Sequence, residues 1–363
     1  MFKPNFTITS QLTQMLVRIE SLKQEIQNLP ITPTVLASLR ESVRLGTVHY
    51  STYIEGNRLT LNQIQDLIKL GTTFPNRKRD EKEILGYYAA LEEIKLFSFP
   101  HNPLTEKDLQ SLHALVMGCG KTKVKPTPYR DGQNAIYDSS SKQIVYLPPK
   151  AKDLKQLMSD FVAWINQAEH ENFACPLRAA IAHYQFATIH PYYDGNGRTA
   201  RLLATVILHR GGYGLKGLYS LEEYYAKNLQ AYYNAISAGP SHNYYLGRAQ
   251  ADISFWLDYF CTGMIDSFEK VKTHALIEYH KGFEDKSKVL RELNTQQEAA
   301  LTLFKKRKIV TSNDLQLFFN ISSRAARTLC LKWLKDKFLV LKDPAKKSRS
   351  YELNPQISKK LFE

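Results

Sequence analysis

His190, Asp194, Arg198 and Arg201 lie together in the stretch "HPYYDGNGRTAR" at 190–201, around the triplet Gly195-Asn196-Gly197. The two glycines permit positive φ, so successive backbone N–H groups can turn inward as an anion nest. A helix predicted to start near Arg198 adds its positive N-terminus to the same place. Arg198 and Arg201, three residues apart, share a helix face and can fork onto phosphate oxygens. Asp194 offers the hard oxygen that Mg²⁺ takes beside phosphates. His190, at the entrance, is the side-chain type that accepts a proton at neutral pH. These parts suit a phosphorus-centred transfer from a nucleotide: nest, arginines and metal hold the charge, and His190 activates the nucleophile. The glycine spacing is not that of a Walker loop, and no Lys-Ser/Thr pair follows. A histidine before proline, or Gly-Asn-Gly, is by itself ordinary turn chemistry. Their order between two helical patterns is what argues for a site.

The elements that must position this loop are helical. Apolar periodicity in "CPLRAAIAHYQFATI" (175–189) and "RTARLLATVILHRGG" (198–212) predicts a helix on each side, the second closed by glycine. Upstream, "TVLASLRESVRLGTVHYSTYIEGN" predicts a helix with Thr34 as cap and Gly56 as stop. "LTLNQIQDLIKL" restarts from Thr60, and "DEKEILGYYAALEEIKLF" and "LTEKDLQSLHALVMG" follow, the last opening on the capping box Thr105-x-x-Asp108. The pattern breaks in "PTPYRDGQNAIYDSSSKQIVYLPP", where two short β-rich pieces between prolines predict a hairpin. "KDLKQLMSDFVAWINQAE" is helical again, and helices run on to about residue 290. Of the remaining histidines, His113, His183 and His209 fall on helical faces; His183, just before the loop, is expected to orient it.

The C-terminal end reads differently. "TQQEAALTLFKKRK", "TSNDLQLFF" and "ISSRAARTLCLKWLKDKF", the last capped by Ser322 or Ser323, predict three helices, and "LVLKDPAKKSRSYELN" two strands around a basic loop. Three short helices and a hairpin make a winged helix. The net charge is +14, and the stretch 295–363 carries 15 Lys+Arg against 6 Asp+Glu. Such a basic end suits nucleic acid or an acidic partner, or is a solvated lysine-rich surface. The four scattered cysteines match neither metal-ligand spacing nor a disulfide scaffold. No membrane-length apolar run and no secretory leader pattern is present. A cytoplasmic protein with no membrane partner is expected. The expected organisation is a helical region over 1–110, a core over 111–290 and the winged helix over 291–363.

The stretch 190–201 resembles the signature of the Fic family, H-P-F-x-D/E-G-N-G-R-x-x-R, at every polar position; Tyr192 stands where the family has phenylalanine. The resemblance extends over roughly residues 40 to 290. It implies a mainly α fold, a helical bundle with a β-hairpin flap, and transfer of AMP from ATP to a Ser, Thr or Tyr hydroxyl of a target protein. By the same resemblance His190 is the general base, Asp194 holds Mg²⁺, and Gly195, Asn196 and Gly197 form the anion hole. Arg198 then contacts the phosphates and Arg201 grips the γ-phosphate. The hairpin at about 129 to 148 resembles the flap that pairs with the target's backbone. "NLQAYYNAI" resembles the adenine-side segment, with Tyr232 and Tyr233 as candidate contacts; aromatic helix packing explains the pair equally well.

A second stretch, "STYIEGN" at 51–57, resembles the family's inhibitory motif S/T-x-x-x-E-G/N through Ser51, Glu55 and Gly56. The physical reading is a carboxylate at a helix end that pairs with the Arg201 fork and takes the γ-phosphate's counter-charge. A solvated glutamate before glycine is the plainer alternative. Two other functions stay open. One is a nucleotide-sensing regulator whose winged helix reads DNA through Arg324 and Arg327. The other is the same site used to remove AMP or to move another phosphate-bearing group. Self-modification and a homodimer are further expectations.

Overall fold

The computed structural model describes the chain except residues 1, 30, 32, 99–101, 138–140, 142, 240, 281–292, 344, 346–348, 356 and 359–363. The chain divides into two compact units, one of Met1–Ile26 with Leu39–Thr273, the other of Gln27–Ser38 with His274–Glu363. The expected mainly helical fold is found. Among the described residues no helix is long and apolar enough to cross a membrane.

The first unit is built around α7 (Cys175–Ile189) and α8 (Asn196–Arg210), the two helices that flank the motif. Apolar and small residues cover α7 on all sides, so it sits inside the bundle: Leu177, Ile181, Phe186 and Ile189 are all buried. Trp256 of α11 (Ser254–His280) is fully buried, and its indole N–H donates to the Ala180 carbonyl at 2.8 Å. Around this pair lie α1 (Ser10–Gln27), α2 (Pro33–Ile54), α3 (Leu61–Leu70), α4 (Lys78–Phe97), α5 (Glu106–Met117) and α6 (Leu154–His170). The short α9 (Leu221–Lys227) and α10 (Leu229–Ile236) follow α8. The caps on α3 and α5 are those expected: Thr60 with Gln63, and Thr105 with Asp108, form reciprocal capping boxes. Thr34 is not the cap of α2, because Pro33 already occupies the first turn, as proline's fixed φ favours. The expected hairpin is present but shorter. β1 (Ile136–Tyr137) pairs antiparallel with β2 (Ile144–Tyr146) through an irregular register, and the turn between them lies largely outside the described residues.

The second unit contains α12 (Thr295–Lys306), α13 (Ser312–Phe319) and α14 (Ser323–Lys335), with β3 (Ile309–Thr311), β4 (Leu339–Asp343) and β5 (Ser350–Leu353). The sheet order is β3-β5-β4, all antiparallel. Trp333 is the centre of its core, 5.0 Å from the Phe338 ring and 6.0 Å from Phe319. Ser322 is the cap of α14, its hydroxyl accepting from the Ala325 N–H at 3.2 Å. β3 went unread from sequence. Its three residues are too few to show a period-2 pattern, and the chain before them was taken as helix as far as residue 308.

Buried histidines, among them His113 and His183, set an acid limit on this fold. Burial pushes His113 down to about 4 and His183 well below its ordinary value. Unfolded, each titrates near about 6.5. The unfolded chain therefore takes up protons between about 6.5 and 4 that the folded chain refuses. Stability is complete above that window and falls as pH drops through it, by up to about 1.4 kcal/mol per pH unit for each histidine. The urea midpoint is expected to be lower at pH 5 than at pH 7; equal midpoints would contradict this account.

Candidate active site

The loop between α7 and α8 brings together all the charged residues of the motif. Its first residue, His190, takes the left-handed conformation (φ 52°), uncommon outside glycine and further disfavoured before Pro191. The surrounding bonds over-determine it. The His190 N–H closes the last turn of α7 onto Phe186 at 3.0 Å, and Arg130 Nε donates to the His190 carbonyl at 3.0 Å. The Arg130 N–H holds the Pro191 carbonyl at 2.9 Å. His190 Nδ1 faces the Ala187 carbonyl at 3.2 Å, which can only accept, so the proton is assigned to Nδ1 and Nε2 is the free basic nitrogen. Burial, first of all, holds the imidazole down to about 4, with Arg130 pushing the same way and the Ala187 bond and the Glu55 charge pulling against it. His190 is thus a neutral base at physiological pH.

The cradle itself is fixed by one side chain. Asn196 accepts from the Tyr192 N–H at 2.9 Å and donates to the Tyr192 carbonyl at 2.8 Å, closing the loop on itself while buried. Gly195 takes φ 75°, and its N–H donates to Asp194 Oδ1 at 2.6 Å. That same oxygen accepts from Arg198 Nη2 at 3.2 Å. The Asp194 side chain is 55 % exposed. A Cβ on Gly197 would overlap the Glu55 carboxylate, so any side chain there would push that group off the first turn of α8.

Glu55 lies just past the end of α2, in a turn that Gly56 completes at φ 96°. Its Oε1 accepts from Arg201 Nη2 at 2.8 Å. Arg201 also donates through Nε to the Ser51 hydroxyl at 2.9 Å and through Nη2 to the Ser51 carbonyl at 2.8 Å. Burial opposes the Arg201 charge, but the Glu55 carboxylate, Tyr232 and Tyr87 outweigh it and raise its pKa. Ser51, Glu55 and Arg201, far apart in sequence, are therefore one cluster, with the carboxylate seated at the N-terminus of α8. Arg198 is almost fully buried, between Asp194 and Glu83, whose Oε1 is 3.8 Å away. Tyr232 is buried, stacked on Tyr225 and hydrogen-bonded with His183 at 3.1 Å. Tyr233 is 45 % exposed and donates to the Ile54 carbonyl at 3.0 Å, tying α10 to the end of α2.

One expectation needs correcting. His183 does not orient the loop; it faces Tyr232, Trp256 and Phe260 in the core. His113 of α5 does: its Nε2 donates to the Asp194 carbonyl at 2.9 Å, and its ring stacks on Tyr192 with centroids 3.6 Å apart. That stack anchors Tyr192, while the Tyr192 hydroxyl is buried with no hydrogen-bond partner among the described residues. Sequence reading also passed over Arg130, Tyr193 and Glu83. Tyr193 accepts from the Gly132 N–H at 2.8 Å and donates to Asp131 at 2.7 Å, stitching the hairpin's base to the loop. The Asp131-Gly132 turn was visible in the sequence, but nothing marked its neighbour Arg130.

A strained histidine with a free ring nitrogen, a helix N-terminus opened by glycines and two enclosed arginines thus meet at one loop and the first turn of the helix after it. Residues 103–208 match the model of the Fic/DOC family, and the chain carries a Fic domain. The Protein adenylyltransferase Fic of Drosophila erecta is 34 % identical over 204 residues, covering 54 % of this chain and 39 % of that protein. The Protein adenylyltransferase fic-1 of Caenorhabditis elegans is 30 % identical over 203 residues, covering 55 % and 38 %. The matches thus span about two fifths of the length of these curated relatives. In fold, the chain is similar to a Fic family protein from Desulfovibrio desulfuricans G20, with a TM-score of 0.61 at 24 % identity over 98 % of this chain and 99 % of that one. It is also similar to a Fic domain containing signaling protein from Bacteroides thetaiotaomicron, with a TM-score of 0.59 at 25 % identity over 74 % and 97 %.

The double bond of Asn196 to Tyr192 yields a test. Asn196→Ala leaves the buried Tyr192 N–H unpaired and removes one of the two donors to the Tyr192 carbonyl, which Asn134 also meets at 3.2 Å, and should cost about 1–3 kcal/mol. Tyr193→Phe, which removes bonds at the exposed surface, should cost under about 1 kcal/mol. Urea unfolding of the two variants should rank them in that order, and the reverse order would contradict the assignment.

Proposed function

We propose that this chain is a protein adenylyltransferase that moves AMP from ATP to a hydroxyl of a target protein, and that Glu55 holds it inactive. The observation that carries the reading is the seat of the Glu55 carboxylate. The place the motif builds for an anion, between Gly197 and Arg201, already holds one, supplied by the chain itself. The names of the curated relatives support the reaction class.

In this reading the N–H groups at the start of α8, with its helix dipole, take the phosphates of ATP, and Arg198 and Arg201 add counter-charge. Asp194 fits a magnesium ion, because it presents a half-exposed carboxylate with Oδ2 uncommitted, and one carboxylate plus phosphates is an ordinary Mg²⁺ environment. Mg²⁺ bound there would neutralise charge on the phosphates. His190 Nε2 takes the proton of the target hydroxyl, whose oxygen forms a bond to the α-phosphorus. The bond from the α-phosphorus to its bridging oxygen breaks, and pyrophosphate leaves with the electron pair. The hairpin, with Tyr137, Ile144 and Val145 exposed, offers its edge to the target as an added strand. Tyr233, half exposed, is the better placed of the two adenine-side candidates; Tyr232 supports it from the core. The residue spans 1–110, 111–290 and 291–363 are the functional divisions we propose.

A second role is favoured by a separate observation. Arg324, Arg327, Lys332 and Lys335 are exposed on α14, that helix carries no acidic residue, and none of the four is ion-paired to a described residue. As the recognition helix of a winged helix, this face would meet DNA phosphates.

Three outcomes are expected. With label from α- but not γ-labelled ATP, Glu55→Gly should raise target labelling in cell lysate. Arg201→Ala should not raise it, and the double variant should behave as Arg201→Ala. A simple stabilising ion pair would instead leave labelling equal in wild type and Glu55→Gly. His190→Ala should lose at least about 10²-fold in transfer with ATP binding retained; normal labelling would remove His190 from the mechanism. For α14, the full chain should shift duplex DNA in a gel at low salt, and Arg324→Ala with Arg327→Ala should reduce both the shift and its salt dependence. A chain that ignores DNA at low salt leaves this face a protein-docking surface.

A further inference from the structure

Three stretches of backbone, far apart in the chain, converge on one side chain. Arg130 Nε donates to the His190 carbonyl at 3.0 Å, Nη1 to the Gly132 carbonyl at 2.8 Å and Nη2 to the Pro149 carbonyl at 2.5 Å. Gly132 and Pro149 stand at the two ends of the hairpin stem, before β1 and after β2, and His190 opens the loop after α7. Arg130 is only 4 % exposed. Among the described residues its guanidinium bonds to carbonyls and to no carboxylate. A charge buried in this way costs stability that an apolar side chain of similar size would spare. What the fork adds is geometry. It is planar and rigid, so three carbonyls bonded to it keep fixed directions relative to one another.

Other bonds stitch the hairpin to the same region. Asn134 Nδ2 donates to the Tyr192 carbonyl at 3.2 Å, the Tyr146 hydroxyl to the Thr188 carbonyl at 2.7 Å, and Tyr193 bonds Asp131 and the Gly132 N–H. Among these ties only those of Arg130 meet His190 itself. A shift of the stem therefore pulls on the His190 carbonyl, and that peptide sets where a residue held at φ 52° points its ring. We propose that Arg130 is a positioning residue that keeps the hairpin in register with His190. A target strand added to the hairpin's edge then presents its hydroxyl at a fixed place relative to Nε2. The proposal rests on the reading of His190 as the general base and of the hairpin as the target's dock. A base must lie within hydrogen-bond reach of the proton it takes, so this register bears on the rate of transfer and not on the binding of ATP.

The test uses the full chain with Glu55→Gly, so that the seat is open, with α-labelled ATP and cell lysate as the source of target hydroxyls. Arg130→Met removes the fork without leaving a buried charge, and Arg130→Lys keeps the charge without the fork. Both should lower the initial rate of protein labelling at saturating ATP by about ten- to hundredfold, the loss expected of a misplacement of about 1 Å. ATP affinity, measured by isothermal titration with His190→Ala added to stop transfer, should stay within about twofold, because the phosphates are held at the start of α8. Arg178→Met is the control. It removes an equally buried guanidinium that bonds Glu169, and Glu169 keeps its bonds to Arg210. Arg178 lies about 18 Å along α7 from the loop, so its loss should leave labelling within about twofold. If the Arg130 variants label at the parent rate, or lose ATP affinity by the same factor as rate, the positioning role is refuted and the reading of the function survives. Full rate in Arg130→Lys alone would show that charge suffices and would refute the fork. If Glu55→Gly itself labels nothing, the reading of the function falls and the positioning role falls with it. Should one Arg130 variant fail to fold, the other decides alone.

Discussion

The guanidinium of Arg201 is the point on which the first unit turns. It is a permanent charge with almost no access to water, and a charge in that position must be met by groups of fixed geometry. Ser51 meets it twice and Glu55 once, and both belong to the end of α2. The position of α2 against α8 is therefore constrained by electrostatics as well as by packing. Tyr233, bonded to the Ile54 carbonyl, adds a third tie at the same spot. The cluster lies beside the N-terminus of α8, so one ion pair joins the placement of a helix to the state of an anion seat.

The loop that carries His190 is held by a different device. A non-glycine residue at positive φ before a proline is strained, by about 1–3 kcal/mol for such conformations. Three elements share the restraint: Arg130 from the hairpin's base, Asn196 across the loop, and His113 from α5. Each bonds a backbone carbonyl of the loop, at His190, Tyr192 and Asp194 respectively. Stiffness here keeps the His190 imidazole enclosed, which is the main cause of its low pKa, and a looser loop would admit water.

The helices around the site are legible from periodicity and caps, α7 to the residue, because a long apolar pattern with Pro176 near its start and His190-Pro191 after its end leaves little freedom. The motif was legible because its residues are adjacent in sequence. What could not be read is what the fold brings in from elsewhere. Glu83, His113 and Arg130 carry no local signature; each sits in an ordinary helical or loop context and reaches the loop only by packing. His183 was chosen over His113 because it is nearer the loop in sequence. The distance that mattered was across two helices, and the stacking of His113 on Tyr192 decided it. The substitution of tyrosine for phenylalanine at 192 has its physical answer in the same place. The ring is used in full, and the hydroxyl is accommodated without a partner among the described residues.

If Glu55 is the exchangeable plug proposed above, its bond must be neither too weak nor too strong, and the geometry fits between. Moving a two-state element from about 1:99 to 99:1 takes a ligand with about 5.5 kcal/mol of preference for one state. One charge-assisted hydrogen bond contributes about 1.5–3 kcal/mol, and the Glu55 side chain, 31 % exposed, falls toward the lower end because water screens it. On the proposed reading such a bond would close the seat most of the time, and a more highly charged phosphate group with several donors to satisfy would displace it. Had the carboxylate been as buried as the guanidinium, removal from its partner would have cost far more, and the seat would have been shut permanently. The exposure of Glu55 is thus as much a part of the device as its charge. In the proposed reading, the asymmetry between a solvent-reaching carboxylate and an enclosed arginine is what lets the pair open instead of acting as a strut.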